Sequence, residues 1–168
     1  MIHVCSLARL HETVDRTGAS HVVTCLRRSE QAQLEGRIAR QNHLVLNMDD
    51  IAAPLEGYTV PADEHVMRLI DFVAGWDRSA PLVVHCFAGI SRSSASAYVA
   101  ACALNPKRDE MQIAQDLRRV SRTATPNTRI VSLADRLLRR GGRMVRAIDT
   151  IGPGIAATEG EPFRLDLD

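Results

Sequence analysis

A chain of 168 residues has room for one domain around one core, and 45% hydrophobic with 24% charged residues is a globular balance, not a disordered or fibrous one. A formal net charge of +1 speaks against a nucleic-acid binder, and no apolar run approaches the length of a membrane span. Cys5, Cys25, Cys86 and Cys102 lack the paired C-x-x-C spacing of a zinc site or a disulfide framework, and Met1 to Cys5 is not a basic-then-apolar leader; the expectation is a reducing, cytoplasmic setting with no bound metal.

Ile2 to Cys5 and His21 to Leu26 are expected as short strands. Between them Leu7, Leu10 and Val14 recur at helical spacing up to Gly18. Arg27 to Arg40 is polar and reads as a short helix or a loop, with Ser29 a candidate N-cap. His43 to Met48 predicts a third strand running into Asp49-Asp50, and Ile51 to Pro61, with two prolines and a glycine, is a loop. From Ala62 to Asp77 the residues Val66, Leu69, Ile70, Val73 and Trp76 share one face of an amphipathic helix introduced by Pro61.

Pro81 opens a further strand, Leu82-Val83-Val84, which ends on His85-Cys86. Five loop residues follow, Phe87-Ala88-Gly89-Ile90-Ser91, and then Arg92-Ser93 opens a helix. That helix is apolar nearly all round from Ala95 to Leu104, as a helix buried under other elements should be, and Asn105-Pro106 stops it. Asp109 to Arg122 and Asn127 to Arg140 predict two amphipathic helices, the second capped by Asn127. Gly141-Gly142 and Gly152-Pro153-Gly154 bracket a last short helix, and Glu159 to Asp168 reads as a poorly specified tail. The expected organisation is residues 1–150 as one domain and 151–168 as a tail.

Strands alternating with helices imply a single α/β domain, with a mostly parallel sheet of about four to five strands flanked by helices. Ligands in such folds sit at the C-terminal ends of the strands, where Cys86 lies. A tight loop leading into a helix N-terminus turns backbone amides toward one point, and the helix dipole adds positive potential there. Gly89 gives the loop access to positive φ, and Arg92 offers a planar fork that matches two oxygens of a phosphate. A sulfur at the bottom of this cup is expected as a thiolate, because nearby positive charge favours the ionised form.

The run His85-Cys86-x5-Arg92-Ser93 resembles the active-site loop of the cysteine-dependent protein tyrosine phosphatase superfamily, closest to the small dual-specificity phosphatases. The resemblance implies Cys86 as nucleophile and a phosphate held by the amides of Phe87, Ala88, Gly89, Ile90, Ser91 and Arg92 and by the Arg92 guanidinium. It further implies Ser93 as the hydroxyl that helps the thiolate leave, and His85 as the group that orients the loop. A general acid is expected on a loop before the nucleophile, where Asp50 is favoured and Asp49 is the alternative. Phosphorylated protein or peptide, or a small phosphate monoester, is the implied substrate, with no cofactor; phosphate, sulfate or vanadate is expected to fit the loop. A phospho-binding module without turnover is the alternative, ahead of a phosphoinositide phosphatase, whose basic loop residues are missing here, or an arsenate reductase, which generally needs a shorter loop or a resolving cysteine, and no further cysteine lies near Cys86 in the sequence.

Two features lie outside that pattern. Leu117 to Arg146 holds nine Arg against one acid, Asp135, and reads as a solvated face more readily than as a docking one, with the acidic tail as a candidate cover. Cys25, on a strand expected near Cys86, reads as a core cysteine, with a reversible disulfide as the second reading.

Overall fold

The structure is a computed structural model that describes residues 1–167. Strands β1 (Ile2–Ser6), β2 (His21–Leu26), β3 (His43–Asn47), β4 (Leu82–Cys86) and β5 (Phe163–Leu165) form one sheet in the order β3-β2-β4-β1-β5. All neighbours are parallel except β5, which runs antiparallel to β1. The strand that carries Cys86 is therefore central, and all five of its residues are buried.

Helix α1 (Leu10–Thr17) covers one face, where Leu10 and Val14 pack on Cys5, Val22 and Val83. The other face carries α2 (Asp63–Gly75), α3 (Arg92–Leu104), α4 (Glu110–Val120), α5 (Thr128–Leu137) and α6 (Arg143–Ile151), which share a core with Val4, Val23, Leu82 and Val84. Helix α3 is buried from Arg92 through Cys102, as its all-round apolar sequence requires. Asn127 caps α5, its Oδ1 accepting from the amides of Arg129 and Ile130 at 3.1 Å each.

Of the two readings of the stretch after β2, the loop holds: residues 27–39 form no helix, Leu34 and Ile38 bury themselves beside α1, and only a short 3-10 turn, Arg40–Asn42, precedes β3. The structure differs from the sequence reading in three places. Helix α1 begins only at Leu10, after a turn in which Arg9 N donates to the carbonyl of Ser6 at 3.3 Å and Leu10 N to that of Leu7 at 3.2 Å. The tail is specified: β5 buries Phe163 and Leu165 on either side of exposed Arg164, an alternation too short to stand out in the sequence. Finally, several arginines of the 117–146 stretch work inside the fold. Arg140 is buried and donates to Glu110 at 2.7 Å, Arg118 donates to the carbonyl of Gly152 at 2.7 Å, and Arg129 donates to that of Pro61 at 2.6 Å. Among the described residues the tail acids do not reach that stretch: Asp166 pairs with Arg164, and Glu159 accepts from Ser6.

Candidate active site

Side chains alternate along β4, so Val83 packs on the α1 side while Leu82, Val84 and Cys86 face the α2–α6 side. Cys86 thus ends the central strand pointing toward the N-terminus of α3, only 2% exposed. The loop after it is built by its carbonyls. That of Phe87 accepts from Leu7 N at 3.1 Å, that of Ala88 from Gly160 N at 2.9 Å, that of Ile90 from Thr125 N at 3.0 Å, and that of Ser91 from Asn127 N at 3.3 Å and Ala95 N at 3.0 Å. In a trans peptide the following N–H points opposite to the carbonyl, so outward carbonyls turn the amides of Ala88, Gly89, Ser91 and Arg92 inward. Among the described residues no protein acceptor takes a hydrogen bond from the amides of residues 87–91.

Gly89 has φ +73°, and a Cβ there would stand 2.7 Å from the Ser6 amide nitrogen. Only glycine fits, both for its backbone angle and for the closeness of β1.

Arg92 is 7% exposed, and its Nη1 donates to the carbonyl of Met48 at 2.9 Å. Its Nε is buried without a protein acceptor among the described residues, leaving a charged donor for an incoming oxygen. Ser93 Oγ lies 3.1 Å from Cys86 Sγ. His85 is fully buried, and its Nε2 lies 2.7 Å from Thr24 Oγ1, which in turn lies 2.8 Å from His43 Nε2. Burial above all, with some help from the nearby His43 and Arg92, pushes the His85 imidazole down to about 4, so it is neutral at physiological pH. It therefore adds no charge to the strand end.

The two aspartates part company. Asp49 is fixed away from the loop: its Oδ2 accepts from Thr59 N at 2.8 Å and its Oδ1 from Arg27 Nε at 3.1 Å, and these bonds hold its carboxyl below the usual range. Arg27 also lies over the Tyr58 ring, 5.8 Å from its centroid, so this pair clamps the loop of residues 50–61. Asp50 faces the other way. Its Oδ1 accepts from Ser91 Oγ at 2.7 Å and from Asn127 Nδ2 at 2.9 Å, which brings its carboxyl to the rim of the loop.

Cys25 stands in register with Cys86 on β2, 3.4 Å from Ser96 Oγ, and burial pushes its thiol up to about 12. All four cysteines are buried and free. Sequence reasoning missed Thr24 and the Met48 carbonyl, since nothing local marks a backbone acceptor or a strand threonine as a partner of residues 44 and 61 positions away.

Residues 55–126 match the family model for protein-tyrosine phosphatase, a span from the loop before α2 to the residue before Asn127. No curated protein matches the chain. Among solved structures, human DUSP28 is 17% identical, with 83% of this chain and 88% of that one covered and a TM-score of 0.62. The Cydia pomonella PTP-2 phosphatase is 19% identical over 79% of this chain and 83% of its own, with a TM-score of 0.59. A mouse putative dual specificity phosphatase, solved in complex with zinc tungstate, is 17% identical over 85% and 84%, with a TM-score of 0.61. At these identities the likeness is one of fold.

Proposed function

We propose that this chain is a cysteine-dependent phosphatase that hydrolyses phosphate monoesters of tyrosine, and of serine or threonine, through a phosphocysteine intermediate; the family match over residues 55–126 and the fold support the reading. The observation that carries the reading is the meeting of four side chains from three separate segments, β4, the start of α3 and the loop after β3, at one place. Cys86 Sγ lies beside Ser93 Oγ, Arg92 is pinned to Met48 with its Nε free, and Asp50 stands at the rim. Without a deep recognition insertion in the chain, a shallow cleft accepts all three phosphoresidues.

The thiolate of Cys86 attacks phosphorus as the ester P–O bond breaks, and the inward amides with Arg92 hold the charge spread over the equatorial oxygens. Asp50, protonated at this stage, gives its proton to the departing oxygen. Water then attacks the phosphocysteine and returns a proton to Asp50, the S–P bond breaks, and Ser93 donates to the returning sulfur anion. One proton leaves Asp50 and one comes back. Tetrahedral oxyanions such as phosphate, sulfate, vanadate or tungstate are the expected occupants of the same loop.

The test is hydrolysis of 4-nitrophenyl phosphate in the presence of a chelator. The wild type is expected to turn over, and Cys86→Ser to abolish turnover. Full activity in that variant ends the proposal, whereas phosphopeptide binding without turnover in the wild type would make the chain a phospho-reader.

A further inference from the structure

Beside the phosphate loop lies a groove of about 310 Å³ lined by Leu7, Ala8, Phe87, Ala88, Thr158 and Glu159. Its walls come from three segments far apart in sequence, and hydrogen bonds stitch them together: Leu7 N to the Phe87 carbonyl at 3.1 Å, Gly160 N to the Ala88 carbonyl at 2.9 Å, and Ser6 Oγ to Glu159 Oε1 at 2.5 Å. Phe87, the residue directly after Cys86, leaves 58% of its surface exposed at this wall, although a large aromatic is ordinarily covered.

Resting on the phosphatase reading, we propose that this groove is the specificity subsite for an apolar side chain within two positions of the phosphorylated residue of a peptide substrate. Continuity commits the occupant. Phe87 and Ala88 belong to the phosphate loop, the amides that follow them turning inward, and they also line the groove; an extended peptide advances only about 3.3 Å per residue, so a flanking side chain falls within reach. Leu7, Ala8, Phe87 and Ala88 offer an apolar surface, and Glu159 sets a carboxylate at its edge. The subsite therefore favours leucine or phenylalanine and disfavours an acidic or second phosphorylated residue. Part of the discrimination comes from the C-terminal segment, outside the span that matches the family model.

The experiment compares phosphotyrosine peptides that differ only at one flanking position, carrying leucine, alanine or glutamate. Wild type is expected to show kcat/KM for leucine about tenfold above alanine, with glutamate lowest. In Leu7→Ala and Ala8→Glu the leucine preference collapses, while 4-nitrophenyl phosphate, too small to enter the groove, is hydrolysed at the wild-type rate. Glu159→Gln restores the glutamate peptide toward alanine. Equal use of all three peptides by the wild type, or a leucine preference that survives both variants, overturns the subsite. Should the wild type show no turnover of any monoester, the phosphatase reading fails by itself; calorimetric affinity of the same peptides then tests the groove, and equal affinities reject it.

Discussion

Asn127 Nδ2 donates to Asp50 Oδ1 at 2.9 Å while Asn127 Oδ1 caps α5, so one side chain joins the start of a helix to the candidate acid. Its own amide also bonds the carbonyl of Ser91, which ties both to the phosphate loop. Asn127 and Ser91 both donate to Oδ1 of Asp50, so in the proposed mechanism the proton belongs on Oδ2, which takes no hydrogen bond among the described residues. Asn127→Ala is expected to lose about 1 kcal/mol of stability with the cap. It should also slow phenyl phosphate, a poor leaving group, about tenfold more than 4-nitrophenyl phosphate. Asn127→Ser keeps a capping oxygen but is too short for Asp50, so it should keep the stability and share the leaving-group effect. Equal rates with both substrates in both variants would show that the contact does not position the acid.

The neighbouring aspartates should separate in the same way. Asp50→Asn is expected to lower turnover of phenyl phosphate by about 10² to 10⁴-fold, with a much smaller loss at 4-nitrophenyl phosphate and little change in melting temperature. Asp49→Asn breaks the clamp on Arg27 and Thr59 and should act on melting temperature first, leaving the ratio of the two substrates near wild type. Exchange of these two phenotypes would assign the acid to Asp49.

The phosphate loop was legible because its chemistry is local: strand, five residues, arginine and buried helix follow one another within residues 82–104. Asp50 was legible through its place after a strand, and Asn127 as a helix cap, but their meeting was not, since it joins residues 77 apart in sequence. The C-terminal segment misled for a different reason. Its hold on the fold comes from a strand of only three residues and from backbone donors, Gly160 N to Ala88 and Ile155 N to Arg122; the strand is too short to show a period and backbone groups carry no sequence signature. The solvated reading of the arginine stretch holds for Arg119, Arg122, Arg136, Arg139, Arg143 and Arg146, which are exposed; what charge counting could not see is that Arg118 and Arg129 reach carbonyls of distant turns and that Arg140 is buried against Glu110.

His85 predicts an acid-sensitive fold. Its folded imidazole titrates at about 4 against an ordinary value of 6.5, so the unfolded chain takes up the proton first as pH falls. Stability is full above pH 6.5 and is lost progressively down to about pH 4, a difference on the order of 3 kcal/mol from this residue. His3, His21, His43 and His65 are shifted in the same direction, chiefly by burial, so a residual slope remains without it. Melting temperature measured between pH 7 and 4.5 should fall more steeply for wild type than for His85→Asn. Parallel curves would mean that folding does not lower the affinity of His85 for a proton.

Gly89 offers a test of the loop that leaves every reacting group in place. An alanine there must hold φ near +73° and put its Cβ 2.7 Å from the Ser6 nitrogen and 2.8 Å from the Cys5 carbonyl carbon, both backbone atoms of β1 that cannot turn aside. The loop has to move off the strand, and amides displaced by about 1 Å no longer match a phosphate, so kcat/KM for 4-nitrophenyl phosphate should fall by about 10² or more. The strain itself is worth about 1 to 3 kcal/mol and should show as a lower melting temperature. Gly36→Ala separates the two effects, because Gly36 has φ +78° but open space around its Cβ position and lies in the segment between β2 and β3. That variant is expected to lose stability and keep its rate; a Gly89→Ala protein with wild-type kcat/KM would show that the close approach of loop and strand does not set the geometry of the site.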